Sequence, residues 1–504
     1  MNNLLVLPLL IPLCTAVVLV FLKNSVSAQR IISAVSVLLN MIVGAVIVQQ
    51  VHEQGIQTLH MGGWIPPYGI VFVADMFAAL LVLTSAVVSA ACLFYAFGTI
   101  GEQREKHYFY PFFQFLLAGV NGSFLTGDIF NLFVCFEVML IASYALLVLG
   151  GTRVQIRETL KYILVNIVSS TLFVASVAYL YGVVGTLNMA DLSLRISEAG
   201  QGGVLSVIAI LFLIVFGLKA GLFLFFWLPG SYSAPPPAVA ALFGALLTKV
   251  GLYAIIRTFT LIFPQQLFDI QSWIGWLAAG TMILGGIGAV AYGDIRRILN
   301  YNVIIGVGFI AFGAAVGNGD AMNGAVYYLI HDMIAKALMF FLGGMIIAAA
   351  GTDKLSAMGG MIKRYPVIGW MFLIVALALV GIPPLSGFPG KLLIVRGGLG
   401  EGEYWLTAIG VASSLIVLYS LIRIFMKAFW GEEKDAAPDA GNVGNIGNDP
   451  RTTMSWKLAY IPSVFLLLIV FILGFASEGI YSYVSQAGEV LVQPALYIEA
   501  VLKE

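Results

Sequence analysis

The chain has 504 residues, 60% of them hydrophobic and 10% charged, and a mean hydropathy of +0.99. A soluble domain carries about 25% charged and about 45–50% apolar residues, so this composition excludes a soluble globular protein. The 25 basic and 25 acidic side chains cancel, and with no basic stripe the sequence argues against nucleic acid as a partner.

Long apolar runs recur from end to end, the signature of membrane-spanning helices. The alternating segments of a membrane barrel are absent. The sequence therefore predicts an all-α integral membrane protein with about 14 transmembrane helices. Their centres lie near Leu13, Leu39, Thr84, Leu117, Leu140, Leu172, Val215, Leu247, Met282, Val307, Met339, Ala376, Ser414 and Leu467. Met1-Asn2-Asn3 lacks the basic region of a signal peptide, so the first span is expected to be retained. Gly431 to Trp456, rich in Gly, Asn, Asp and Lys, reads as a flexible loop.

Loop charges orient the chain. Loops after odd-numbered spans carry Lys23 and Arg30; Arg104 and Lys106; Arg153, Arg157 and Lys161; Arg296 and Arg297; Lys354, Lys363 and Arg364; and Lys427, Lys434, Arg451 and Lys457. The loop after span 7 carries none, and the even loops carry little beyond Arg195 and Arg396. The odd loops are thus expected in the cytoplasm and both termini outside, in a bacterial plasma membrane. Cys14, Cys92 and Cys135 form no metal or redox spacing and read as small buried hydrophobes. With no CxxC, Rossmann or P-loop pattern, no cofactor is expected.

Two proline- and glycine-rich clusters fall at membrane depth beside lysines. One is Lys219-Ala-Gly followed by Trp227-Leu-Pro-Gly-Ser-Tyr-Ser-Ala-Pro-Pro-Pro237; the other is Gly381-Ile-Pro-Pro-Leu-Ser-Gly-Phe-Pro-Gly-Lys391. Proline removes a helix hydrogen bond, and broken helices in a bilayer occur only where protein or water satisfies the freed groups. Pro229, Pro235, Pro236, Pro383 and Pro384 are the expected breakers, in spans 7 and 12. Paired breaks point to a transport site between inverted repeats. An offset of five spans is odd, so spans 4–8 and 9–13 would form two inverted five-helix repeats. The expected division is residues 1–100 (spans 1–3), 101–263 (first repeat), 264–430 (second repeat), and 431–504 (polar loop, span 14 and a short tail).

Glu137, Lys219, Lys249, Lys336 and Lys391 lie within spans or at a break. A charge at the bilayer centre costs about 2.5–3.5 kcal/mol on insertion scales. Burial disfavours a charged lysine and brings proton exchange within reach of neutral pH, and histidine, the residue type at 331, is the side chain that ordinarily titrates there. A string of such groups suits a proton wire. Structural readings stay open beside it: a static Glu137–Lys219 pair, a Lys249 that binds loose carbonyls, a local pair of Asp332 and Lys336 one turn apart, and a His331 that is merely hydrogen-bonded. Asp75 and Asp128, at span starts, read as interfacial, and Arg257 and Arg423 as snorkelling.

The motifs Gly127-Asp-Ile-Phe-Asn-Leu-Phe-Val-Cys-Phe-Glu137, Thr248-Lys-Val-Gly-Leu-Tyr253, His331-Asp-Met-Ile-Ala-Lys336 and the two proline clusters together resemble one family. It is that of the antiporter-like subunits shared by Mrp-type cation/proton antiporters and proton-pumping NADH:quinone oxidoreductase, and the resemblance runs from about span 2 to span 14. It implies that Glu137 and Lys219 form a switchable pair, that Lys249 and His331 connect, and that Lys336 and Lys391 serve the second half-channel. It also implies Na⁺ and H⁺ as transported ions and, as partners, subunits of the Mrp A, B, C, E, F and G types. The sequence departs from the family where a proline is common between the span-7 lysine and Trp-Leu-Pro, at Leu224, and where Asp or His often follows that motif, at Gly230, Ser231 and Tyr232. The expected function is a non-enzymatic subunit of a multi-subunit Na⁺/H⁺ antiporter. The rival is a proton-pumping subunit of a quinone oxidoreductase or membrane-bound hydrogenase. Sodium has no carboxylate cage in the sequence to fix its site.

Overall fold

In a bilayer every backbone N–H and C=O must be satisfied within its own segment, so apolar runs fold as helices. The computed structural model describes residues 2–200, 203–263, 270–432 and 454–502. Most of the expected flexible loop, with Lys434 and Arg451, lies outside the described residues. The helices are α1 (Leu7–Phe21), α2 (Val26–Gln54), α3 (Met76–Thr99), α4 (Glu102–Glu105), α5 (Phe109–Leu125), α6 (Ile129–Val148), α7 (Arg153–Val184), α8 (Met189–Ala199), α9 (Gly203–Ala220), α10 (Leu228–Ser233), α11 (Pro237–Leu242), α12 (Thr248–Arg257), α13 (Ile270–Ala291), α14 (Ile295–Val316), α15 (Gly319–Ala350), α16 (Pro366–Val380), α17 (Gly387–Gly400), α18 (Tyr404–Phe429), α19 (Trp456–Phe475), α20 (Ser477–Val492) and α21 (Pro494–Leu502).

Among the described residues, twelve helical segments are long and apolar enough to cross a membrane. The other two expected centres, Leu117 and Ala376, fall in α5, of 17 residues, and α16, of 15. At 1.5 Å per residue these helices fall short of a hydrocarbon core of about 30 Å. The chain is also not purely helical. Gln57–His60 (β1) and Val71–Ala74 (β2) form an antiparallel pair, with Gln57 opposite Ala74 and His60 opposite Val71. Four-residue strands are too short to show an alternating pattern against an apolar background. The expected short tail contains α20 and α21.

Burial separates the helices. α14 and α15 have 89% of their most apolar window inside the protein, and the segment Pro237–Ile262 has all of it, whereas α1 has 28% and α7 33%. The interior of the bundle therefore includes α11–α12, α14 and α15, together with α3, 83% buried in its window, and α5, nearly all of whose residues are buried. Cys92 and Cys135 are buried as expected, but Cys14, on the sparsely covered α1, is exposed.

Two corners repeat at a fixed spacing. Gly127-Asp-Ile129 precedes α6, and Gly293-Asp-Ile295 precedes α14. Asp128 caps Asn131 N–H at 2.7 Å, and Asp294 caps Arg297 N–H at 3.1 Å. The Ile129 N–H donates to Leu187 O, and the Ile295 N–H to Asp353 O; Met189 N–H donates to Gly127 O, and Leu355 N–H to Gly293 O. Helices α7 and α15, of 32 residues each, both end on a left-handed glycine, Gly185 or Gly351. A single offset of 166 positions (129 to 295, 187 to 353) relates the residue numbers of both corners and of both long helices.

Asp75 and Asp128 stand at helix starts as expected, each capping its helix, but neither is open to solvent there. Asp75 is wholly buried and accepts from Arg257 Nη2 at 2.5 Å, while Asp128 is 9% exposed. Arg257 does not snorkel; it is 2% exposed, over the rings of Phe77, Tyr253 and Tyr497. Sequence position put both partners near span ends, but a desolvated cation and carboxylate satisfy one another where neither could reach water. Arg423 does reach outward and donates to Val290 O at 2.7 Å.

Candidate proton site in the broken helices

Lys219 sits in the last turn of α9. The helix stops at Ala220, because Gly221 (φ +74°) and Phe223 (φ +61°) turn the chain into the left-handed region. The break thus precedes the expected prolines. Pro229 opens the short α10, and Pro235 and Pro236 lie in the link to α11. The freed Leu218 carbonyl accepts from Trp227 Nε1 at 3.2 Å. In span 12 the prolines do fall at the break: α16 ends at Gly381 (φ +89°), and Pro383 and Pro384 lie between it and α17.

Glu137 and Lys219 meet through a hydroxyl. Ser170 of α7 donates to Glu137 Oε1 and accepts from Lys219 Nζ at 3.3 Å. Lys219 Nζ also lies 5.0 Å from the centre of the Phe136 ring. Glu137 is half-buried, and Lys219 is 5% exposed. A hydroxyl both gives and takes a proton, so Ser170 connects the two groups without fixing them as one ion pair.

Asp332 joins the next two lysines. Its carboxylate lies 2.7 Å from Lys249 Nζ and 3.7 Å from Lys336 Nζ, and all three side chains are at most 2% exposed. Each lysine also donates to a carbonyl at 2.8 Å: Lys249 to Gly244 in the wide π turn Phe243–Leu247, and Lys336 to Asn302. Two glycines make room. A Cβ on Gly306 would fall 2.9 Å from the Asp332 carboxylate, and one on Gly251 would fall 2.5 Å from the Ala220 backbone, where α12 meets the end of α9.

His331 and Lys391 serve the second break. His331 Nδ1 hydrogen-bonds Ser386 Oγ at 2.7 Å, and its ring packs 5.4 Å from Tyr328. Its Nε2 is buried and unpartnered among the described residues, beside Gly387. Lys391 Nζ donates to Val380 O at 3.0 Å and Ser414 Oγ at 2.8 Å, between the rings of Phe309 and Tyr328. A cation there faces the carbonyl end of α16, where the helix dipole is negative.

All six sequence-derived site residues thus line the two breaks and the helices between them. The structure adds Ser170 and Asp332. Asp332 carried a signal, its i,i+4 spacing from Lys336. Ser170 carried none, because serine is unremarkable in a membrane helix.

Comparison with known proteins gives the arrangement a family. The profile described as NADH:quinone oxidoreductase/Mrp antiporter, TM, matches residues 126–417, which contain every residue of the site. The chain is 53% identical to the D-type subunit of the Na(+)/H(+) antiporter of Bacillus subtilis and 47% identical to that of Alkalihalophilus pseudofirmus, over the whole of each chain. Its fold matches a chain of the Mrp complex of Dietzia sp. with a TM-score of 0.91 at 28% identity, all of both chains being covered. A chain of an archaeal membrane-bound sulfane sulfur reductase matches at 0.88 and 26%, over 99% of this chain and 100% of that one. The chain belongs to the family of membrane subunits shared by NADH:quinone oxidoreductase and the Mrp antiporters.

Proposed function

We propose that this chain is a membrane subunit of a multi-subunit Na⁺/H⁺ antiporter and that it conducts protons along Glu137, Lys219, Lys249, His331, Lys336 and Lys391, with Ser170 and Asp332 as connecting groups. The observation that carries this is the charge balance of the buried row. Four lysines face two carboxylates, Glu137 and Asp332. With ordinary charges the row holds two uncompensated positive charges in a medium where each costs several kcal/mol. Moving a proton on, off or along the row changes that balance at once. A static scaffold gains nothing from such an excess.

The relatives named as D-type subunits of Na(+)/H(+) antiporters match over their full length, which favours sodium and proton as the exchanged ions and other antiporter subunits as partners. The fourteen-span count rests on α5 and α16–α17 crossing beside the twelve longer segments. The inverted repeats of spans 4–8 and 9–13 are supported by the matching Gly-Asp-Ile corners and the odd number of spans between them. Cytoplasmic odd loops and external termini are supported by the loop charges. In operation, a proton reaching Lys219 weakens or restores its hold on Ser170 and Glu137. The altered field then shifts Asp332 between Lys249 and Lys336, and the change reaches Lys391 at the second break. One charge crossing 100 mV is worth about 2.3 kcal/mol, enough to reset such a pair.

The test is proton movement in everted vesicles from an antiporter-deficient host that expresses the whole operon. Sodium addition without NADH is expected to release or take up protons. Proton movement only on addition of a reductant would overturn the antiporter reading in favour of a redox-driven pump.

A further inference from the structure

The buried face of α7 is polar where the bundle meets α6 and α10. Glu158, Thr159, Tyr162, Asn166, Ser169 and Ser170 are each at most 9% exposed and recur at helical spacing. At one end Glu158 touches the exposed Arg157 and Lys161 at 2.8 and 3.2 Å. Its carboxylate fills the space over Gly230, where a Cβ would collide with Oε2. At the other end stands Ser170, the hydroxyl between Glu137 and Lys219. Between them the Tyr162 hydroxyl meets Ser143 Oγ at 3.1 Å, and Asn166 Nδ2 donates to Tyr162 O at 2.8 Å. Two hydroxyls beside this line, Thr159 Oγ1 and Tyr232 Oη, are buried and unpartnered among the described residues, and such groups usually hold ordered water.

The offset of 166 positions supplies a second, independent observation. It carries Tyr162 to Tyr328, Asn166 to Asp332 and Ser170 to Lys336. The same three registers of the second long helix thus hold the carboxylate and lysine of the central row.

From these observations we infer that α7 carries a hydrated proton lane running from Glu158 at the helix mouth, past Tyr162 and Asn166, to Ser170 and the Glu137–Lys219 site. Successive members lie one helical turn apart, about 6 Å, a gap that one water closes with two hydrogen bonds of about 2.8 Å. Glu158 takes a proton from solvent and passes it on; each water or hydroxyl accepts one proton and releases another, so no charge stays on the lane. The inference rests on the proton-conducting reading of Glu137 and Lys219.

The experiment compares sodium-dependent proton exchange across a pH series in vesicles carrying the full complex, for wild type, the lane variants Glu158→Gln, Tyr162→Phe and Asn166→Leu, the site variants Glu137→Ala and Lys219→Ala, and the conservative control Glu158→Asp. Membrane levels and co-purification of the partner subunits are checked for each. Glu158→Gln is expected to lose about tenfold or more at alkaline pH, where protons are scarce, and to recover as the pH falls; Glu158→Asp should keep most activity. Tyr162→Phe keeps the ring packing and is expected to slow exchange several-fold, so it stands as the test if the glutamate variant fails to assemble. Wild-type rates and pH profiles in Glu158→Gln, Tyr162→Phe and Asn166→Leu, while Glu137→Ala and Lys219→Ala are inactive, would overturn the lane alone. Activity in all five variants would instead overturn the proton-site reading on which it rests.

Discussion

Ser170 and Asp332 decide how the buried charges work, because each stands between two groups that do not bind one another directly. Ser170→Ala removes one hydroxyl and leaves the α6–α7 packing in place. Exchange is expected to fall about tenfold with normal membrane levels, measured as sodium-dependent proton movement. Asp332→Asn removes the carboxylate facing Lys249 and Lys336 and leaves two cations in a dry interior. Taking one partner from such a pair costs about 3–5 kcal/mol, so this variant is expected to lose both exchange and thermal stability in detergent. Stability equal to wild type would show that one of the lysines is already neutral. The lysines and Glu137 were legible in the sequence because charge at membrane depth is conspicuous. Ser170 was not, since only the fold shows that it stands between α6 and α9.

Two helix breaks supply the backbone geometry, and they arise differently. Both begin on a left-handed glycine, Gly221 or Gly381, but in the second Pro383 and Pro384 follow within three residues, whereas in the first Pro229 comes only after the next short helix has begun. Gly221→Ala places a side chain at φ +74°, a strain of about 1 kcal/mol. Gly251→Val drives a branched side chain into the Ala220 backbone and is expected to cost about 1–3 kcal/mol through overpacking. Both appear as a lowered melting temperature of the purified complex. Exchange should suffer more in Gly251→Val, because Ala220 adjoins Lys219; equal, mild effects on exchange would contradict the tight α9–α12 contact. That the breaks exist could be read from the clustered prolines and glycines. Where the first one falls could not, because the helix ends on backbone conformation rather than on a missing donor.

The whole molecule was legible as a bundle of apolar helices, since length and hydropathy alone set spans in a bilayer. The strand pair at residues 57–74 was not, because four-residue strands show no alternation against an apolar background, and the burial of Asp75 with Arg257 was not, because it joins segments distant in sequence. Breaking that ion pair by Asp75→Asn is expected to cost about 3–5 kcal/mol, and the double variant with Arg257→Gln less than the sum of the two singles. Additive losses in thermal denaturation would contradict a direct pair. Orientation is tested with Asn2→Cys in a cysteine-free background. Labelling by an impermeant thiol reagent from outside intact cells is expected, and labelling only in everted vesicles would reverse the reading of the loop charges.

The central claim is that Glu137 and Lys219 form a working proton site rather than a fixed pair. Its most direct test is sodium-dependent proton movement in vesicles from an antiporter-deficient host expressing the whole operon, with Glu137→Ala and Lys219→Ala compared with wild type at matched membrane levels. Loss of exchange in both single variants, with the complex still assembled, is the predicted result. Exchange at the wild-type rate in both would contradict the account and leave the buried charges to structure alone.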